Sequence, residues 1–276
     1  MKIHSIIANT ISEEILQTGH LSIRLLADGF SLLLEDKSYK PVVLLKATSD
    51  QTVSLTASQA ACEDWLNRHT LLEHFSGECT ILPGSQCETI VPEEIFSVED
   101  SVHYISSVSE INPSDSVLHK LVPNRPFVIV YAVRETVKNF SEKFHGNCRI
   151  ISDTEVLISV ADQVNAADHQ RGFVLMEVQH KALSIILIKN DFVQLINHLD
   201  IKDEGDLVYH ILNILKQMDF DRKSAPLYFA GKLPVETAAT LNRYIKNIHP
   251  LAYVIQDIDK TSILENILIA EATKCG

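Results

Sequence analysis

GFVLMEVQHKALSIILIKNDFVQLINH, residues 172–198, is the stretch whose reading decides the fold. It holds three apolar segments, 172–178, 182–189 and 192–198, parted only by short polar breaks. β-rich runs joined so tightly read as an antiparallel meander. A helical stretch over 205–218 follows, then a short apolar strand at 226–231, a second helix over 235–247 and a last strand at 251–255.

Working outward, the first half of the chain repeats this order. After an N-terminal lead that reads as irregular, residues 21–27 and 30–35 flank Asp28-Gly29, a strong hairpin signal. Lys40-Pro41 leads into a third strand over 42–47. Residues 56–75 read as a helix, with Ala60, Ala61, Trp65, Leu71, Leu72 and Phe75 at helical spacing and Thr56 and Ser58 as cap candidates. Two short strands, 79–82 and 87–91, stand on either side of Pro83-Gly84-Ser85, Pro92-Glu93-Glu94 can open a short helix, and 102–108 reads as a strand. FVIVYAV at 127–133 is almost continuously apolar, the pattern of a strand buried on both faces in a parallel sheet. A helix over 135–144, a strand over 148–151 and a helix opened by the Ser152/Glu155 capping pair complete the half. The polar residues 165–171 read as the linker.

Laid over one another, 21–47 corresponds to 173–198, 56–75 to 205–218, 127–144 to 227–245, and 148–164 to 252–272. Each half then reads βββαβαβα, with an insertion over about 76–123 in the first only. A whole ordered set of elements occurring twice marks an internal duplication. The expected fold is α/β, two mixed-sheet domains with helices on both faces, spanning 1–167 and 168–276.

The composition excludes several function classes. Against 36 acidic residues stand 24 basic ones, a net charge of −12, so a phosphate backbone is repelled and nucleic acid is not an expected partner. The five cysteines are scattered with no CxxC pair, which predicts reduced, structural thiols in a cytoplasmic protein. The first 17 residues lack a basic stretch followed by an unbroken apolar one, so no signal peptide is expected. No apolar run has the length a membrane helix needs. The 12 histidines form no HExxH or CxxC…HxxxH spacing, and no metal site is expected. GxSxG, Walker and GxGxxG motifs are absent. The acidic clusters 200–206 and 257–259 fall at expected helix starts, where the helix dipole favours them.

The duplicated order resembles the actin-like ATPase superfamily, in which two ribonuclease-H-like domains flank a nucleotide cleft. An insertion in the first domain is similar to the division and pilus-platform branch, and the chain also resembles a bacterial family of unknown function assigned to that superfamily. In active members each opening hairpin carries an Asp-x-Gly turn. Its glycine lets backbone approach phosphate, and its acid holds Mg²⁺ or activates water. Here the first hairpin reads Leu26-Ala27-Asp28-Gly29-Phe30-Ser31, with Ala27 two residues before Gly29, so the acid is out of register. In the second, Met176-Glu177-Val178-Gln179-His180-Lys181, Glu177 stands at the acid position but Gln179 replaces the glycine. The adenosine-contacting glycine pair is reduced to Ala230-Gly231.

The resemblance therefore implies a non-catalytic scaffold with a degenerate nucleotide cleft, no cofactor and a protein partner bound at the insertion. The alternative it implies is an atypical ATP-dependent enzyme or switch using ATP and Mg²⁺. Asp28, Ser31, Glu177, Gln179 and Gly231 would then line the nucleotide site, with Glu177 nearest the metal or water.

Overall fold

The N-terminal residues, expected to be irregular, are built into the structure. In this computed structural model, which describes residues 1–49, 52–84, 87–165 (backbone only at 165), 172–179, 181–253 and 258–275, the chain opens with β1 (Lys2–Ala8) and α1 (Glu13–Thr18). A meander follows, β2 (His20–Leu26), β3 (Gly29–Glu35) and β4 (Pro41–Thr48). β1 pairs antiparallel with β4 and so edges the sheet. The expected helix over 56–75 is two helices, α2 (Leu55–Arg68) and α3 (Leu71–His74), broken at Thr70, whose φ is 54°. The α2 cap is Ser54, whose Oγ accepts the Ala57 N–H at 3.1 Å. Ser58, expected as a cap, instead donates its hydroxyl to the Leu26 carbonyl at 2.8 Å and ties α2 to β2.

β5 (Glu78–Leu82) then joins the sheet parallel to β2. The chain next leaves that sheet for a separate three-stranded one, made of β6 (Glu88–Pro92), β7 (Ser116–Leu121) and β8 (Phe127–Val133) in the order β6-β8-β7. Between β6 and β7 lie a 3-10 turn, Glu93–Ile95, and α4 (Ser101–Ser106). The expected strand at 102–108 is thus mostly helix, with Ile105 buried against β6 and β8 residues. After α5 (Glu135–Glu142), β9 (Cys148–Ile150) returns to the main sheet parallel to β5, and α6 (Asp153–Asn165) follows. The six-stranded order is β1-β4-β3-β2-β5-β9.

The second sheet repeats the pattern. β10 (Phe173–Gln179), β11 (Ala182–Lys189) and β12 (Phe192–Asp200) form its meander, and α7 (Glu204–Gln217) follows. β13 (Leu227–Gly231), α8 (Val235–Leu241), β14 (Ile248–Pro250), α9 (Lys260–Glu265) and α10 (Ile267–Ala272) complete it. Its order is β12-β11-β10-β13-β14, with β13 parallel to β10 and β14 parallel to β13. The last strand precedes the expected 251–255, of which residues 254 and 255 lie outside the described residues. The linker expected at 165–171 also falls outside them, the backbone of 165 excepted. The acidic clusters do cap helices: Asp203 accepts the Asp206 N–H, and Asp259 accepts those of Thr261 and Ser262.

One pairing of the halves is corrected. β8 was expected to match the strand at 227–231, but it is the antiparallel centre of the extra sheet. The counterpart of β13 is β5, since each lies parallel to the first meander strand. The excursion absent from the second half therefore runs from the end of β5 to α5, later than the expected 76–123.

The chain divides into two compact units: Met1–Val156 with Gln256–Ile258 and Leu268–Gly276, and Leu157–Ile255 with Asp259–Ile267. In the second unit, Val174, Met176 and Val178 of β10 and Leu183, Ile185 and Leu187 of β11 pack with Leu207, Ile211 and Leu215 of α7 and Leu241 of α8. In the first, the extra sheet has a core of its own around Val91, Ile105, Val128 and Val130. It is fastened at its base by polar contacts: the Ser152 hydroxyl donates to Glu88 Oε2, and the Tyr131 hydroxyl donates to the Ile150 carbonyl at 3.0 Å. Lys120 lies 3.6 Å from Glu155, whose carboxyl is pushed up by burial against the opposing pull of Lys120 and Arg149. Among the described residues no helix is long and apolar enough to cross a membrane.

Glu35, at the end of β3, is buried, and burial pushes its carboxyl up to about 7 against the pull of Thr273 and Lys274. The folded state thus holds a proton that the unfolded chain has released, and stability falls as pH rises from about 4.5 to about 7. Glu35→Gln should leave stability at pH 5 nearly unchanged and raise it at pH 8, by at most about 3 kcal/mol, as read by denaturant unfolding at the two pH values.

Candidate functional site

The opening hairpins decide which side chains meet. The first closes at Leu26↔Gly29 and the second at Gln179↔Ala182. Counting back two residues from each closing pair places Arg24 on β2 where Glu177 stands on β10. Counting forward places Ser31 on β3 where Ser184 stands on β11. Each serine has its own partner on the third strand, Lys46 for Ser31 and His198 for Ser184. Two equivalent cross-strand rows result, Lys46–Ser31–Arg24 and His198–Ser184–Glu177.

This register corrects the frame expected from sequence. The counterpart of Glu177-x-Gln179 is Arg24-x-Leu26, three residues before Ala27-x-Gly29. Asp28 lies in the two-residue turn ahead of Gly29, buried, its carbonyl accepting the Ser49 N–H at 2.7 Å. Ser31 is buried one strand away from Arg24.

The charged residue at the first-strand end of each row is held by a side chain outside the row. The Arg24 guanidinium donates to Asp153 Oδ2 through Nε at 3.0 Å and through a terminal nitrogen at 2.6 Å, joining the middle of β2 to the first turn of α6. Both side chains are buried, so each charge depends on the other. Asp153 Oδ1 is buried with no hydrogen-bond partner among the described residues. In the second unit Glu177 is only 2% exposed, and its Oε1 accepts the Gln179 side-chain amide at 2.8 Å. Ser184 Oγ and His198 Nδ1 are hydrogen-bonded at 2.8 Å.

Gly231 lies one residue past Ala230, the neighbour of Glu177 on β13. Its φ is +81°, and a Cβ there would come 1.9 Å from the Val178 carbonyl oxygen. Gly84 stands in the same relation to β2: its φ is +61°, and a Cβ would come 1.8 Å from the Leu25 oxygen. Both positions require glycine because the chain leaving the second parallel strand crosses directly over the first. Strand packing accounts for Gly231 without a ligand.

The structure thus brings together Glu177, Gln179 and the approach to Gly231 in one unit, and in the other sets Ser31 beside Arg24 while Asp28 closes the turn. Sequence reasoning missed Arg24, Asp153, Ser184, His198 and Gly84. A usable signal existed: Arg24 and Glu177 are the lone charged residues inside HLSIRLL and FVLMEVQ. Among the described residues no group of three or more His, Cys, Asp or Glu side chains is placed to hold a metal.

A family described as "Protein of unknown function (DUF3822)" matches residues 8–248. The chain belongs to that family. Solved structures with little sequence identity share its fold. A Bacteroides thetaiotaomicron protein with an actin-like ATPase fold and unknown function superposes with a TM-score of 0.80 at 19% identity, covering 97% of this chain and 100% of that one. A chain of a PilM–PilN type IV pilus biogenesis complex superposes with a TM-score of 0.60 at 14% identity, covering 92% of this chain and 97% of that one. No curated protein matches the chain. The DUF3822 chain therefore has the actin-like two-domain fold, as its duplicated element order implied.

Removing one partner of the Arg24–Asp153 pair leaves a buried charge uncompensated. Arg24→Met should cost about 3–5 kcal/mol, and the double variant Arg24→Met/Asp153→Leu should recover most of that loss. Urea unfolding of both variants reads the difference.

Proposed function

We propose that this DUF3822 protein is a non-catalytic actin-like scaffold whose nucleotide site is degenerate and whose inserted sheet docks a protein partner. The observation that carries the first part is the occupancy of the two equivalent hairpin positions. Glu177 is buried and held by Gln179, and Gln179 carries a Cβ and side chain where phosphate would need bare backbone. At the matching position of the first half stands Arg24, a cation locked on Asp153, where a magnesium nucleotide would call for a carboxylate.

The second part rests on the inserted sheet. Ile95, Val98 and Val102 are 65%, 56% and 50% exposed on the connection from β6 through α4. From residue 83 to residue 119 the chain carries seven acids (Glu88, Glu93, Glu94, Glu99, Asp100, Glu110 and Asp115) and no lysine or arginine. An apolar patch inside an acidic field suits a basic, amphipathic segment of a partner protein. The PilM–PilN complex is a precedent for a protein of this fold that works with a partner.

Thermal unfolding with and without millimolar Mg-ATP tests the first part. No shift is expected. A ligand at about 100 times its dissociation constant adds roughly 2.7 kcal/mol and moves the midpoint by a few degrees. Such a shift, lost in Glu177→Ala, would overturn the scaffold reading in favour of a nucleotide-dependent switch lined by Asp28, Ser31, Glu177, Gln179 and Gly231.

Calorimetric titration with a synthetic lysine- and leucine-rich amphipathic peptide tests the docking face. Val98→Ser/Val102→Ser keeps every charge and should weaken binding by about tenfold or more, as loss of two buried apolar contacts requires. Equal binding by the variant would reduce the interaction to charge attraction and remove the docking surface.

A further inference from the structure

Cys79 and Cys148 are direct register partners on β5 and β9, and both are free thiols. Paired positions on adjacent strands project from the same face of a sheet. Neighbouring strands lie about 4.8 Å apart, within the Cα separation that a disulfide bridges. The two thiols differ in access: Cys79 is fully buried, whereas Cys148 is half-buried on a three-residue strand at the sheet edge.

Their place in the topology gives the pair its meaning. β5 is the last strand before the chain leaves for the inserted sheet, and β9 is the first main-sheet strand after its return. A bond between them closes a ring that contains the whole inserted sheet and clamps it at its base. A long closed loop is where a covalent link removes most freedom from the unfolded chain.

We propose that Cys79 and Cys148 are a hydroperoxide-responsive thiol pair that closes to an intramolecular disulfide at the base of the inserted sheet. The accessible Cys148 thiolate attacks the terminal oxygen of the hydroperoxide. The O–O bond breaks, the alkoxide or hydroxide leaves as alcohol or water by taking up the proton that the Cys148 thiol had released to solvent, and Cys148 becomes a sulfenic acid. The Cys79 sulfur then displaces hydroxide from the Cys148 sulfur. The S–S bond forms, and the Cys79 proton leaves with the hydroxide as water. Two thiols are oxidised and one hydroperoxide is reduced. This inference stands apart from the docking reading, because it needs only the β5–β9 pair.

The test uses the full chain, oxidised under native conditions with hydrogen peroxide, then unfolded, alkylated and mapped by peptide mass spectrometry. Two of the five thiols should be lost to alkylation, with a Cys79–Cys148 linked peptide that dithiothreitol reverses. The oxidised protein should melt a few degrees above the reduced one. Cys62→Ser should behave as the parent, and Cys148→Ser should form no link. Cys148 sits at a sheet edge, so this variant keeps the test usable where Cys79→Ser fails to fold. A Cys62–Cys79 link, a dimer joined through Cys148, or oxidation that ends at a Cys148 sulfinic acid would each overturn the proposal.

Discussion

Register in the two opening hairpins is the constraint on which the rest of the structure depends. Side chains alternate across a strand, so a slip of one residue would send every inward group outward. With closure at Leu26↔Gly29 and Gln179↔Ala182, the apolar residues of β10 and β11 meet α7 and α8, and Glu177 and Ser184 take the other face. The same count puts Arg24 and Ser31 together in the first unit. The turns are local, yet they determine which polar groups must satisfy one another in the sheet interior.

Those polar groups are satisfied in ways that differ between the halves. A buried charge is tolerable only when paired or hydrogen-bonded. Arg24 finds a carboxylate in the first turn of α6, while Glu177 finds an amide two residues along its own strand. The equivalent positions of the two halves thus carry charges of opposite sign. In both halves these side chains are engaged with the protein itself.

The inserted sheet shows where an apolar pattern misleads. FVIVYAV reads as a parallel-sheet strand because it is buried at every position, and it is buried at every position. The cause is different. Val128, Val130 and Ala132 fill the small core beside Ile105, while Tyr131, on the alternate face, reaches the Ile150 carbonyl of the main-sheet side. A strand covered on both faces loses its period-two signal whether its neighbours run parallel or antiparallel. The helix α4 was misread for a related reason: its β-branched residues suit strands, but Ile105 and Tyr104 gain their burial only from the sheet beneath them.

The sequence by itself determined the meanders, most of the helices, the capping at Ser152, Asp203 and Asp259, and the duplication that carries the actin-like fold. Each of these is written in periodicity, turn chemistry or side chains a few residues apart, which act before distant segments meet. Tertiary structure alone decided that β5 rather than β8 joins the main sheet, that Arg24 answers to Asp153 across 129 residues, and that Cys79 faces Cys148. Strand pairing between remote segments depends on which surfaces remain to be buried once the local elements exist, and no local pattern records that choice.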